Sequence, residues 1–360
     1  MNRHLPPRHD IPSFWRPHEP GTVFLHLGEN PYPPSERIQR ALAEAARHAN
    51  RYPDTNGLAL RARLAEYVGY GLRPENILLG NGSDELIDLA VVAFAEPSRP
   101  VAAFKPSFFV YDFAAQRHGV PVMALARAED YTLPPCDTAL AGMKSHSVSL
   151  TFIANPNNPT GTLTPRDRIR EYLSRWPGIV VVDECYYEFS GETVADQIAR
   201  HENLIILRSL SKSFGLSGLR LGYALAHEHT MNILVRHAMT FPVNALAQAA
   251  GLAALEEVEF HRERIRQLIR ERDALKHDLE SLGLEVLPSH ANFLLTLWPE
   301  TPPDQSPARR LAEQGIWVSD QSPVLNLSRP ALRLAIGTPE ETARLREAIR
   351  ILLAQGRAGR

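Results

Sequence analysis

The chain holds only four lysines, Lys105, Lys144, Lys212 and Lys276, among 39 Lys and Arg residues. Any chemistry that needs a primary amine therefore has four candidates. Lys212 lies in Ser209-Leu210-Ser211-Lys212-Ser213-Phe214-Gly215-Leu216-Ser217-Gly218-Leu219-Arg220, directly after the apolar run 204–207. A lysine held just past a buried strand is partly desolvated, and cationic neighbours such as Arg220 disfavour its charged form. Its pKa falls, and the neutral amine can attack a carbonyl. Lys144 stands in a polar stretch and Lys276 on the solvated face of a helix, while Lys105 ends a strand and is the rival.

Three more features follow apolar runs. Asp183, after 179–182, is a carboxylate at the end of a buried strand, costly unless paired. It can cap a helix, bind a metal or pair with a cationic ring nitrogen, and no His stands near it in sequence to complete a metal site. Asn155-Pro156-Asn157-Asn158-Pro159-Thr160-Gly161 follows 150–154; it reads as a structural turn or as a loop whose amide donates to a ligand oxygen. Gly80-Asn81-Gly82-Ser83-Asp84-Glu85 follows 77–79 and opens a helix. Its free N–H groups suit a phosphate, although Ser83 alone also reads as a plain N-cap. Taken together, the four features ask for a ligand with an aldehyde, a ring nitrogen, a ring oxygen and a phosphate, and pyridoxal phosphate has all four.

These motifs need strands to carry them. Short apolar runs at 77–79, 101–104, 122–125, 150–154, 179–182, 204–207 and 221–225 alternate with amphipathic segments such as 58–70, 85–94 and 166–176. That alternation predicts α/β architecture, with a mostly parallel seven-stranded sheet covered by helices on both faces and ligands bound beyond the carboxyl ends of the strands. After residue 255 the pattern changes to a long amphipathic helix at 258–282 ended by Gly283. Short strands at 284–287, 293–297, 316–318 and 332–336, a helix at 307–314 and a last helix from Pro339 complete a smaller α+β unit. The expected division is an irregular arm, 1–45, joining the small unit, a large domain, 46–255, and a small domain, 256–360.

A formal net charge of −2 without a basic block argues against nucleic acid as a partner, and no apolar stretch reaches the ~20 residues of a membrane helix. Residues 1–20 lack the apolar core of a signal peptide, so a cytoplasmic protein is expected. Cys136 and Cys185 show no metal spacing, and Cys185 reads as a buried structural thiol.

From Glu29-Asn30-Pro31 to Gly337-Thr338-Pro339, the chain resembles the fold-type I aminotransferases of class I/II, and within them the histidinol-phosphate aminotransferase group. The most specific stretch runs from Ser209 through Lys212 and Arg220 to Tyr223. The resemblance implies that Lys212 holds pyridoxal phosphate as a Schiff base and moves the proton, that Asp183 pairs with the ring N–H, and that Asn158 and Tyr186 contact the ring hydroxyl. It assigns the phosphate to Gly82, Ser83, Asp84, Ser209, Ser211 and Arg220, and the ring stack to Phe108. Tyr52 would reach the partner's phosphate in a homodimer. Arg333 and Asn30, with Tyr52, would bind the substrate. An amino donor and a keto acid would react in turn, in ping-pong order.

The sequence departs from that group at two positions. Phe108 stands where tyrosine is common, and Ser319 where an arginine usually supplies a second cation for the substrate phosphate. Losing one charge-assisted contact costs a phosphorylated substrate about 1.5–3 kcal/mol. Arg16 and Arg329 are the candidates to replace it. The same scaffold also supports decarboxylation of an amino-acid phosphate, as in threonine-phosphate decarboxylase-like enzymes, or elimination and cyclisation.

Overall fold

The computed structural model describes residues 19–143, 148–302 and 305–358. Lys144 and Arg16 lie outside them. Twelve strands form two sheets: β1 Val23–Leu25, β2 Ile77–Asn81, β3 Val101–Lys105, β4 Val122–Ala126, β5 Leu150–Ala154, β6 Ile179–Asp183, β7 Leu204–Ser209, β8 Leu221–Ala226, β9 Glu285–Val286, β10 Phe293–Leu297, β11 Ile316–Asp320 and β12 Ala331–Ala335.

The larger sheet has the order β2-β8-β7-β6-β5-β3-β4. Strands β3 to β7 are parallel, and β8 runs antiparallel to both β7 and β2. β2 therefore points the same way as β7, and the carboxyl ends of β2, β3, β5, β6 and β7 share one edge. Every residue of β5, β7 and β8 is buried, as continuous apolar strands between two helical layers require. β6 and β7 extend one and two residues past their apolar runs, so that Asp183 and Ser209 are themselves the last residues of buried strands. The sheet order changes direction between β3 and β5, and the crevice beyond such a point is where open α/β sheets bind ligands.

The smaller sheet, β1-β11-β12-β10-β9, is antiparallel except for β1, which lies parallel to β11. The helix Val258–Ser281 buries Ile265, Leu268, Leu275 and Leu279, an i, i+3, i+4 stripe, against this sheet and against Leu345 and Ile349 of the helix Pro339–Ala358. Gly283, at φ +90°, lets the chain turn out of that helix.

The N-terminal arm departs from the expected irregular chain. Val23 and Leu25 join the core of the smaller unit. Glu36–Ala46 is a helix packed on Ala245–Leu255, and its Ile38 lies fully inside the core of the larger unit. Ser35 caps it, accepting from the Ile38 N–H at 3.2 Å. The described part of the arm thus contributes to both cores. Among the described residues no helix is long and apolar enough to cross a membrane.

Candidate active site

Lys212 stands three residues beyond β7. Its ammonium donates to the Leu27 carbonyl at 2.9 Å, and the Asn30 amide donates to the carbonyls of Lys212 and Ser213 at 3.0 and 3.3 Å. Burial, and then the positive charge of Arg333, lower its pKa to about 8. The other described lysines are occupied: Lys105 pairs with Asp112 at 2.5 Å, and Lys276 with Glu280 at 2.6 Å.

Asp183 ends β6, beside β7, and is buried. The Tyr111 hydroxyl donates to its Oδ2 at 2.6 Å, and the Cys185 N–H to its Oδ1 at 3.0 Å. Burial raises its pKa, and these donors oppose the rise. Burial, and then the negative charge of Asp183, hold the Cys185 thiol well above its ordinary pKa.

That loop turns at Gly82, φ +80°, into the helix Ser83–Phe94. A Cβ on Gly82 would lie 2.4 Å from Arg220 Nη2, and one on Gly222 would lie 2.6 Å from the Gly82 carbonyl carbon and the Ser83 nitrogen. Both glycines are needed for backbone and guanidinium to approach this closely. Arg220, itself at φ +56°, donates to Asp84 Oδ2 at 2.9 Å. Ser209 Oγ accepts from the Ser211 N–H at 3.1 Å, and Ser211 Oγ is buried with no hydrogen-bond partner. A helix start, a guanidinium and an orphaned hydroxyl form a cradle for an anion such as phosphate.

On the small-unit side, Arg333 of β12 donates from Nη1 to Asn158 Oδ1 at 2.6 Å and from Nη2 to the His26 carbonyl at 2.7 Å, while its buried Nε has no partner. Arg333 lies over Phe293, whose ring also meets Tyr186 edge-on. A Cβ on Gly28 would come within 3.6 Å of Asn292 Oδ1, 3.8 Å of the Tyr186 hydroxyl and 4.0 Å of Lys212 Nζ. The Tyr186 hydroxyl and Lys212 Nζ therefore approach one side of Gly28, and burial holds the Tyr186 hydroxyl well above its ordinary pKa. Phe108 meets the Tyr111 ring edge-on at 5.7 Å.

Three other sequence-predicted residues have partners of their own. Asn30 is taken up by the lysine loop and, through Oδ1, by the Tyr32 N–H at 3.1 Å, so it holds Lys212 in place and leaves no amide group aimed at a substrate. Tyr52 is 83% exposed and stacks on Phe241 at 4.6 Å. Arg329 is paired with Glu285 at 2.6 Å and is not available beside Arg333. Sequence reasoning missed Tyr111 and Asn292. Tyr111 has the signature of any core aromatic on a helix. Asn292, whose Nδ2 donates to the Gly28 carbonyl at 2.9 Å, is a lone polar residue before an apolar strand.

The family described as aminotransferase class I and II matches residues 22–349. The chain belongs to it. This aminotransferase is similar to the histidinol-phosphate aminotransferase of Thermobifida fusca, 36% identical over 343 residues that cover 93% of this chain and 91% of the relative. It is also similar to that of Caldanaerobacter subterraneus subsp. tengcongensis, 35% identical over 92% of this chain and 93% of the relative. Among solved structures, the histidinol-phosphate aminotransferase of Sinorhizobium meliloti in complex with pyridoxal-5'-phosphate shares the fold, with a TM-score of 0.83 at 24% identity over 93% of this chain and 91% of that one. The chain is an enzyme, a pyridoxal-phosphate-dependent aminotransferase of amino-acid-derived substrates. Its donor set suits the cofactor: an amine of lowered pKa, a buried carboxylate held by donors, and an anion cradle that a Cβ on Gly82 would fill.

Proposed function

We propose that this aminotransferase tethers pyridoxal phosphate through Lys212 and anchors the acid group of its amino-acid-derived substrate on Arg333. The observation that carries this reading is the approach of Lys212 Nζ and the Tyr186 hydroxyl to one side of Gly28, with Arg333 close enough to lower the lysine pKa. Bound there, the cofactor supplies an aldehyde for amine exchange and a protonated ring that draws electrons from the substrate α-carbon.

The chain's own residues do the rest. Above pH about 8 the Lys212 amine is mostly neutral and can accept a proton; below it the ammonium dominates. Asp183, whose donors favour its charged form against burial, holds the ring N–H. Asn158 and Tyr186 contact the ring oxygen, and Phe108 covers the ring face. The N–H groups at Gly82, Ser83 and Asp84, with Ser209, Ser211 and Arg220, hold the phosphate. Asn30 keeps the lysine loop against residues 27–30. An exposed Tyr52 stacked on a 42% exposed Phe241, beside a 70% exposed Met239, supports a homodimer in which Tyr52 reaches the partner's phosphate. A cytoplasmic enzyme is part of the same reading.

Its relatives carry the name histidinol-phosphate aminotransferase, which makes histidinol phosphate the first amine to try. Ser319 favours a carboxylate instead. It is the cross-strand partner of Arg333 and accepts from Gln321 Nε2 at 2.7 Å, so its own proton is left to donate beside one guanidinium. One cation and a hydroxyl suit a monoanion better than a phosphate dianion.

The purified enzyme should show the visible band of a lysine-bound pyridoxal, and Lys212→Ala should lose that band on dialysis. Persistence of the band on Lys105 would overturn the assignment. Amino acids and amines added singly should convert the bound cofactor stoichiometrically to pyridoxamine phosphate. Release of CO2 without that conversion would point to decarboxylation.

A further inference from the structure

We infer that Tyr111 is a positioning residue for the reaction: its hydroxyl holds the Asp183 carboxylate anionic and aimed at the ring nitrogen. The inference rests on the reading that Asp183 faces a protonated ring.

The tyrosine is built to hold its oxygen still. It lies on the helix Val110–Arg117 and is 1% exposed. Its ring stacks on Phe152 of β5, with centroids 4.6 Å apart and planes 2° from parallel, and takes Phe108 on its edge. Two aromatic contacts from different elements leave the hydroxyl one direction, toward Asp183 Oδ2 at 2.6 Å. A buried carboxylate without donors takes up a proton, and a neutral acid cannot pair with a pyridinium. Among the groups around Asp183, Tyr111 is the leading influence that favours its charge. Cys185 helps through its N–H, while the negative charge of Asp84 works the other way. Oδ1 already accepts from the Cys185 N–H, so the Tyr111 bond on Oδ2 fixes the rotation of the whole carboxylate and the direction of its remaining lone pairs. Phe108, the residue that would cover the ring, rests on this same tyrosine. One side chain thus sets both the charge partner of the ring nitrogen and the seat of the stacking residue.

The test uses the holoenzyme. Tyr111→Phe keeps the ring and its stack and removes one oxygen. With less negative charge held at Asp183, the ring is less fully protonated, and a less cationic ring lets the lysine-bound imine keep its proton to higher pH. The pH midpoint of the visible band should therefore rise by about one unit, a tenfold change in that proton equilibrium. Affinity of the apoenzyme for pyridoxal 5'-phosphate should fall more steeply than in the wild type between pH 8 and pH 6. The kcat should drop about ten- to a hundredfold, as expected for a lost hydrogen bond to a charged group, while KM for the amino donor changes little. Placing 3-fluorotyrosine at 111, a stronger donor of nearly the same shape, should move the midpoint down. Phe152→Leu, which loosens the seat and keeps the hydroxyl, should lower thermal stability and raise the midpoint by less than Tyr111→Phe does. The inference is overturned if Tyr111→Phe, or the fluorotyrosine enzyme should the first not fold, leaves midpoint and kcat unchanged. A wild-type protein with no lysine-bound band would instead overturn the cofactor reading, and this inference with it.

Discussion

Ser319→Arg offers a direct test of what the acid-binding end of the site selects. Ser319 and Arg333 are Cα partners on antiparallel β11 and β12, so their side chains leave the same face of the smaller sheet. Directly opposed residues have Cβ atoms about 4.5–5.5 Å apart. A guanidinium at 319 can therefore reach the ligand that Arg333 holds. Two such charges about 6 Å apart repel by roughly 3 kcal/mol at an effective dielectric of 20, and by less than 1 kcal/mol in water. Ser319 is half-buried, so the substitution should lower stability by an amount between those limits, read as a lower thermal midpoint. A phosphate dianion gains one charge-assisted contact, worth about 1.5–3 kcal/mol, or about ten- to a hundredfold in binding. The assay is the ratio of kcat/KM for L-histidinol phosphate to that for L-histidinol or, where neither turns over, the ratio of their inhibition constants. The wild type should show little preference between the two, and the variant should favour the phosphate by tenfold or more. A wild-type preference above a hundredfold would refute the argument from Ser319. So would a variant whose ratio stays where the wild type's was.

Two further outcomes follow from contacts outside the substrate end. Gly82→Ala places a methyl group against Arg220 at a positive φ, so cofactor retention should be lost while circular dichroism stays native. Equilibrium dialysis against pyridoxal 5'-phosphate measures it, and unchanged affinity would remove the glycine from the cradle. Arg208→Met leaves Glu184, only 1% exposed, without the guanidinium that now binds it at 2.9 Å, and should destabilise the fold by about 3–5 kcal/mol in urea unfolding. A loss under 1 kcal/mol would mean that Thr193 and the Val194 N–H satisfy the carboxylate alone.

What was legible in the sequence depended on whether a residue's role is set by its neighbours along the chain. The strands of the larger sheet are largely apolar runs, and burial on both faces leaves such a run few alternatives; β5, and β10 of the smaller sheet, begin and end where the runs do. Lys212, Asp183, Asn158 and Gly82 were readable because each interrupts that apolarity at a strand's carboxyl end, where a polar group is costly unless it meets a partner. The helix Glu36–Ala46 was missed although Ser35-Glu36 is an N-terminal signal, because Pro31, Pro33 and Pro34 just before it read as loop.

The interactions that cross between units left no such mark. Arg333 meets Asn158 across 175 residues, and Asn292 meets Gly28 across 264. Each pair is an ordinary polar residue in its own segment and becomes specific only when the smaller sheet is docked on the larger. The segment 26–30 makes the point most sharply: its carbonyls at His26, Leu27 and Gly28 accept from Arg333, Lys212 and Asn292, three donors far apart in the chain. A backbone acceptor is present at every residue, so composition cannot single these out. They follow from Val23 and Leu25 entering the smaller core while Ile38 enters the larger one, which stretches the chain between across the mouth of the site. Asn30 shows the consequence: its sequence position suggested a substrate contact, yet the path imposed by those two anchors sets its amide on the Lys212 and Ser213 carbonyls and makes it a support for the reactive amine.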